Sequence, residues 1–235
     1  MRKMLKVLWT SLVYAYDGAF QIVLANLFWA FVVVAVVQIS VFLTEGPLII
    51  ISILLMIGGV AAAFSGLYYA TFQVASSEPV DWKTFFSGIR HYYWAGLRWT
   101  VINAVVLFSL IFYFFVLFER QELWAVALLG LDLGVMAFWI LMQLITFPLM
   151  LMQEKPAFLQ SLRNALVFFA RWPGYTFTFL APILVLFVAG LSFWPLFLFL
   201  VTGLMAYLGS YAVYFRIESD RRPELFADPR HEHQR

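Results

Sequence analysis

The chain has 235 residues, of which 64% are hydrophobic and only 12% charged, and its formal net charge is +2 at pH 7. Soluble domains usually contain about 45–50% apolar and about 25% charged residues, so the composition excludes a soluble protein and indicates an integral membrane protein. A charge this small and this scattered excludes a nucleic-acid-binding surface. The lack of cysteine excludes disulfides, thiolate metal sites and cysteine nucleophiles.

The first predicted element is an amphipathic helix over residues 3–17. Apolar residues recur there in steps of three and four from Met4 to Tyr16, a pattern typical of a helix that lies along a membrane surface. The same periodicity predicts two further surface helices, over 81–94 and over 157–171.

Six apolar segments alternate with these helices. A transmembrane helix needs about 20 apolar residues, and breaker clusters such as Thr44-Glu45-Gly46-Pro47 separate neighbouring segments. The predicted spans are residues 20–43, 48–74, 97–118, 123–151, 175–192 and 195–215. The sequence therefore predicts an all-α polytopic membrane bundle of six transmembrane helices over residues 1–217, followed by a charged cytoplasmic tail over 218–235.

The basic residues predict the orientation. With a cytoplasmic N-terminus and six spans, fourteen of the fifteen Lys and Arg residues lie on the cytoplasmic side and Arg120 lies outside. This bias follows the positive-inside rule and predicts that both termini are cytoplasmic. Tryptophans such as Trp99 and Trp172 fall near the predicted inner interface, where aromatic belts form.

The second predicted span carries small residues on one face. Gly59 and Ala63, and likewise Ala62 and Gly66, lie four residues apart, and such pairs let another helix approach closely. We predict a helix-packing face at these four residues. Together with the cytoplasmic helices, this face motivates the hypothesis of a membrane-protein partner or a homo-oligomer in addition to the lipid bilayer.

Five apolar residues share one face of the predicted 81–94 helix, namely Trp82, Phe85, Phe86, Ile89 and Tyr93. Two interpretations stay open for this face. It anchors the helix in the membrane interface, or it binds lipid head groups or a protein partner.

Asp132 is the acidic residue that falls inside a predicted span. Counting from Glu122 puts it roughly 15 Å deep, near the midplane of a core about 30 Å thick. Gln143 follows on nearly the same helix face, and Asn103 and Gln38 on other spans would complete a polar interior. One interpretation is a proton or solute site. In the other, the long helix lifts Asp132 to the outer interface, where it is solvated.

The sequence offers no catalytic set. Its histidines are His91, on a predicted surface helix, and His231 and His233, in the tail, so no predicted span presents an imidazole to a haem or a buried metal. The motifs of phosphate-binding loops, zinc proteases and nucleophile elbows do not occur. We expect no enzyme activity, no cofactor and no metal.

Several short motifs resemble one known family. They are Asn26-Leu27-Phe28-Trp29, Gly66-Leu67-Tyr68-Tyr69, Phe85-Phe86, Ile89-Arg90-His91-Tyr92-Tyr93 and Leu162-Arg163-Asn164-Ala165-Leu166. Together they resemble the YesL-like family of bacterial membrane proteins, also called DUF624, over most of the chain. The 42-residue interval between Asn26 and Tyr68 is longer than in the family and makes room for two full spans.

The resemblance implies a bacterial inner-membrane protein, often encoded near carbohydrate-uptake systems, with no established activity and no catalytic residues to assign. The leading hypothesis from the sequence is a non-enzymatic membrane protein that assists a partner such as a sugar-uptake transporter. The alternative is a small-solute or proton-coupled transporter that uses Asp132.

Overall fold

The computed structural model of the protein describes residues 2–43, 48–120, 122–193 and 200–221, and every regular element within these ranges is a helix. In chain order the helices are α1 (Arg2–Asp17), α2 (Ala19–Phe42), α3 (Leu48–Ala75), α4 (Trp82–Phe118), α5 (Leu123–Leu151), α6 (Phe158–Arg171), α7 (Pro173–Ser192) and α8 (Thr202–Arg221).

Four helices, α2 to α5, are long and apolar enough to cross a bilayer. Helices α6 and α7 pass the same test as a pair bent by 107°, which gives a fifth candidate span. The prediction of an all-helical protein with several helices long and apolar enough to cross a membrane is therefore confirmed. The count of six spans stays a prediction, because residues 194–199, at the start of the predicted span 195–215, lie outside the described residues.

The structure corrects the prediction for residues 81–118. The sequence predicted a surface helix over 81–94 and a separate span over 97–118, whereas α4 is a single helix of 37 residues. No proline interrupts the junction, and Gly96 packs closely against Ser65 of α3, so the helix continues. At 1.5 Å per residue, α4 is about 55 Å long. It therefore extends beyond a hydrocarbon core of about 30 Å.

The end of α8 also differs from the prediction. The predicted tail begins at residue 218, but α8 continues to Arg221. Arg216 and Asp220 lie four residues apart and form an ion pair of 3.0 Å, which supports the last turn of the helix. Residues 222–235, with the remaining part of the predicted tail, lie outside the described residues.

The start of α4 is fixed by a capping box. Asp81 Oδ1 accepts a hydrogen bond of 2.9 Å from the Thr84 backbone N–H, and Thr84 Oγ1 accepts one of 3.1 Å from the Asp81 N–H. Because the side chain and the backbone of Thr84 bond the carboxylate, the pKa of Asp81 lies below its usual value. The carboxylate therefore stabilises this helix start at neutral pH, and the stabilisation is lost as the pH falls through that lowered pKa.

Helix α8 lies in the centre of the bundle, although it is less apolar than α2 to α5. It packs against α2, α3, α5 and α7. The Tyr207 hydroxyl donates to the Ser11 carbonyl of α1 at 3.1 Å, and the Tyr175 hydroxyl of α7 donates to the Ala212 carbonyl at 2.9 Å. Helices α1, α2, α3, α5 and α7 thus pack around α8, and a cavity lies beside it.

Candidate functional site

A partly open cavity of about 370 Å³ lies between helices of the bundle, and the exposed residue Ala104 forms part of its wall. Five helices form its wall. Helix α2 contributes Trp29 alone, and the other four contribute several residues each, among them Tyr68 of α3, Trp99 of α4, Gln143 of α5 and Ala206 of α8. The wall is largely apolar, and within the described residues no Lys, Arg, Asp, Glu or His lines it. We call this space the central cavity.

Four polar groups in the wall are buried and have no hydrogen-bond partner within the described part of the chain. They are Trp29 Nε1, Trp99 Nε1, Thr100 Oγ1 and Gln143 Nε2. None of the four residues is more than 8% exposed. Leaving a buried donor unsatisfied costs about 1–3 kcal/mol, so a small rearrangement of the wall that brought an acceptor to these groups would be favourable.

Asn103 orients the amide of Gln143. The Asn103 Nδ2 group donates to Gln143 Oε1 at 3.2 Å and to the Trp99 carbonyl oxygen at 2.8 Å. On the other side, Trp139 Nε1 donates to Asn103 Oδ1 at 2.9 Å. Asn103 therefore holds the Gln143 oxygen, while the buried Gln143 Nε2 group has no partner within the described part of the chain.

The aromatic part of the wall is supported from behind by Phe147. Tyr68 stacks on Phe147 with 4.6 Å between ring centroids, and Trp99 meets it edge-on at 5.3 Å. The rings of Trp29 and Phe64 are 5.6 Å apart. Such pairs contribute about 0.5–1.5 kcal/mol each beyond burial. These ring contacts hold the aromatic part of the wall in place.

The structure separates two predicted polar residues from this site. Asp132 lies eleven residues before Gln143 on α5, about 16 Å along the helix, and does not line the central cavity. Its side chain is half-buried, and its Oδ2 atom is buried without a partner among the described residues. Gln38 is exposed on α2. Of the predicted polar interior, the structure brings together Asn103 and Gln143.

The small residues of α3 pack against helices of the same chain. A Cβ at Gly66 would lie 2.7 Å from the Phe85 ring of α4, and a Cβ at Gly59 would collide with a valine of α2. Ala63 is fully buried and Ala62 is half-buried. The predicted packing face is therefore occupied inside the bundle and leaves no free groove for a partner.

The predicted apolar face at the start of α4 is divided. Phe85 is 1% exposed and belongs to the core. Trp82 and Phe86 are exposed, and Ile89 and Tyr93 are half-buried. The outward part of this face, rather than the whole of it, is free to contact lipid or a partner.

Sequence reasoning does not identify Trp29, Trp99 and Thr100 as site residues. Tryptophans near the end of a span are typical of the membrane interface, and this is where the sequence places Trp99. The only sign of these residues in the sequence is that each carries a polar N–H or O–H group within an otherwise apolar segment. That signal becomes specific only when the fold shows that these groups are buried around one cavity.

The structure shows no candidate metal site within the described ranges. No three His, Cys, Asp or Glu side chains there come together in a group that could hold a metal ion. His231 and His233 lie outside the described residues.

No family model, curated protein or solved structure matches the chain. The resemblance to the YesL-like family therefore rests on the motifs alone and stays a prediction.

Proposed function

We propose that the protein is a non-enzymatic membrane protein that binds a small neutral solute in the central cavity. The observation that carries this proposal is a largely apolar pocket whose wall includes four residues with buried polar atoms that have no partner in the described part of the chain, namely Trp29, Trp99, Thr100 and Gln143. Small-molecule sites are typically largely apolar cavities of about 300–1,000 Å³ with a few convergent polar groups. The central cavity, at about 370 Å³, has this character.

The wall of the cavity defines the chemistry of the ligand. A charged solute would find no counter-ion in it, and an unpaired charge in an apolar medium is strongly unfavourable. The indole rings offer flat apolar faces, while their N–H groups and the amide of Gln143 donate to acceptor oxygens. We therefore assign the cavity to a neutral compound with a compact apolar body and one or two carbonyl or hydroxyl oxygens.

Gln143→Met tests this assignment, because it removes the free amide donor and keeps the length of the side chain. We expect neutral carbonyl-containing fragments to raise the thermal unfolding temperature of the purified protein. In the variant, the half-saturating concentration of such a fragment should rise about tenfold, because one buried hydrogen bond of about 1–1.5 kcal/mol is lost. Gln38→Met removes an exposed amide and is the matched control. Equal affinity in the two variants, or no stabilising fragment at all, contradicts the proposal.

A transport version of this proposal involves Asp132. Its Oδ2 atom is buried and has no partner in the described part of the chain, and carboxyl groups within spans often carry protons in transporters. The transported solute in this test is a fragment that stabilises the purified protein. In proteoliposomes, we expect Asp132→Asn to abolish the proton-coupled flux of this fragment. Binding should stay unchanged, because Asp132 does not line the cavity. Unchanged flux in the variant removes Asp132 from the mechanism.

The resemblance to the YesL-like family supports a second candidate function, as an accessory subunit of a carbohydrate-uptake system. The exposed aromatic residues Trp82 and Phe86 would then contact a membrane-protein partner or a second copy of the chain. Purification in mild detergent, followed by the mass of the intact particle, tests this role. A monomer without any co-purifying protein contradicts it.

We infer that the protein resides in a bacterial cytoplasmic membrane with both termini in the cytoplasm. The positive-inside rule supports this orientation. Val7 of α1 and Arg216 of α8 line one pocket, as expected if the two ends of the chain lie on the same side. A C-terminal fusion to a phosphatase that is active only outside the cytoplasm should be inactive, and an active fusion contradicts the orientation.

A further inference from the structure

A second pocket lies where α6 meets α7, beside the end of α8. Its volume is about 380 Å³. Arg171 and Arg216 contribute the charged part of its wall, and Val7, Trp172 and Phe215 contribute apolar surface. It shares no residue with the central cavity. We call it the arginine pocket.

Trp172 holds the two guanidinium groups of this pocket. The Arg171 Cζ atom lies 4.7 Å from the centroid of the Trp172 ring, and the Arg216 Cζ atom lies 4.6 Å from it. A planar guanidinium stacks favourably on an indole ring. The ring therefore keeps together two like charges that would otherwise move apart.

The positive charge of the pocket is only partly neutralised. Arg216 Nη2 lies 3.0 Å from Asp220 Oδ1, but Arg216 Nε is buried and has no partner within the described ranges. Arg171 is exposed and forms no ion pair in that part of the chain. Among the described residues, no acidic side chain lines the pocket. The exposed guanidinium of Arg171, which forms no ion pair in the described chain, therefore remains beside the pocket.

The first turn of α7 adds further donors. Gly174 and Tyr175 line the pocket and directly follow Pro173, the first residue of α7. Backbone N–H groups in the first turn of a helix have no intrahelical acceptor and carry the positive end of the helix dipole. Anions bind readily at such a position.

The bend between α6 and α7 favours a position of the pocket near the lipid head groups. Helix α6 is amphipathic and meets α7 at 107°, the geometry of a surface helix that turns into a span. Trp172 suits the same level, because tryptophan is enriched at the membrane–water interface.

We propose that the arginine pocket binds a phosphate group through Arg171, Arg216 and the first turn of α7. Guanidinium groups donate paired hydrogen bonds to phosphate oxygens, and basic pockets between transmembrane helices on the cytoplasmic side bind phospholipid head groups. The phosphate belongs to an anionic phospholipid or to a soluble phosphate compound, and the experiment separates these two sources. This inference is independent of the solute in the central cavity.

The test uses the full-length protein, purified and freed of lipid in a neutral detergent. Its thermal unfolding temperature is followed during separate titrations with phosphatidylglycerol, phosphatidylcholine and inorganic phosphate. We expect phosphatidylglycerol or inorganic phosphate to raise the temperature, and Arg171→Gln to raise the half-saturating concentration about tenfold or more, because a charge-assisted bond is lost. Arg163→Gln removes another exposed arginine of α6 that does not line the pocket, so it should behave as the wild type.

The outcomes separate the two sources and can overturn the proposal. Stabilisation by phosphatidylglycerol alone identifies a lipid head group, and stabilisation by inorganic phosphate identifies a soluble source. Arg216→Lys keeps the charge beside Asp220 but removes the planar fork, so it should also weaken binding. The proposal is overturned if neither phosphatidylglycerol nor inorganic phosphate raises the unfolding temperature of the wild type. It is also overturned if the half-saturating concentration is the same for Arg171→Gln and Arg163→Gln. Because Arg171 is exposed and its side-chain contact in the described chain is with the Trp172 ring at 4.7 Å, we expect its replacement to leave the fold intact.

Discussion

Gly209→Ala is expected to destabilise the protein by about 1–3 kcal/mol, the usual cost of overpacking a close contact. A Cβ at position 209 would lie 2.5 Å from the carbonyl oxygen of Leu144 on α5. Both atoms are fixed to helix backbones, so no side-chain rotation relieves the clash. The strain is removed only if α5 and α8 move apart. Because Leu144 also lines the central cavity, the same movement would change the width of the binding site.

The thermal unfolding temperature in detergent measures this effect, and two glycines of α5 provide controls. A Cβ at Gly130 or Gly134 meets nothing within 4 Å. Gly130→Ala and Gly134→Ala should therefore be neutral or stabilise the helix by about 0.5–1 kcal/mol. If Gly209→Ala unfolds at the same temperature as these controls, the close contact between α5 and α8 does not exist.

Three of the spanning helices could be predicted closely from the sequence. Helices α2, α3 and α5 begin and end within one residue of the predicted bounds, because an apolar run with breakers or charges at its ends marks both limits. For α4 the change from a polar to an apolar pattern predicts a break between residues 94 and 97, and the structure has no break there. A change of polarity along a helix marks where the helix leaves the apolar layer, and the backbone hydrogen bonds continue across it.

The candidate site could be predicted only in part. Asn103 and Gln143 attract attention because amide side chains within spans are rare and usually bonded. Their contact depends on the pairing of α4 with α5, which no periodicity encodes. Trp29 and Trp99 look like interfacial or packing residues until five helices enclose their N–H groups. The requirement for glycine at position 209 could not be predicted either, because it comes from the nearby Leu144 carbonyl oxygen of another helix.

The cysteine-free sequence permits the most direct test of the central cavity, since a single introduced thiol reports on a single position. Ala206 lines the cavity and is 2% exposed. Ala63 is fully buried and does not line it. A thiol at either position is shielded from bulk solvent, but only the thiol at position 206 borders a space that a small neutral molecule can enter.

The decisive measurement is the rate at which methyl methanethiosulfonate, a small neutral reagent, labels Ala206→Cys and Ala63→Cys in the folded protein, followed by intact mass. We expect Ala206→Cys to react about tenfold faster or more, because thiol labelling depends on access as well as on thiolate character. A charged sulfonate analogue should label neither variant before denaturation. If Ala206→Cys reacts no faster than Ala63→Cys, the protein has no central cavity that admits neutral solutes.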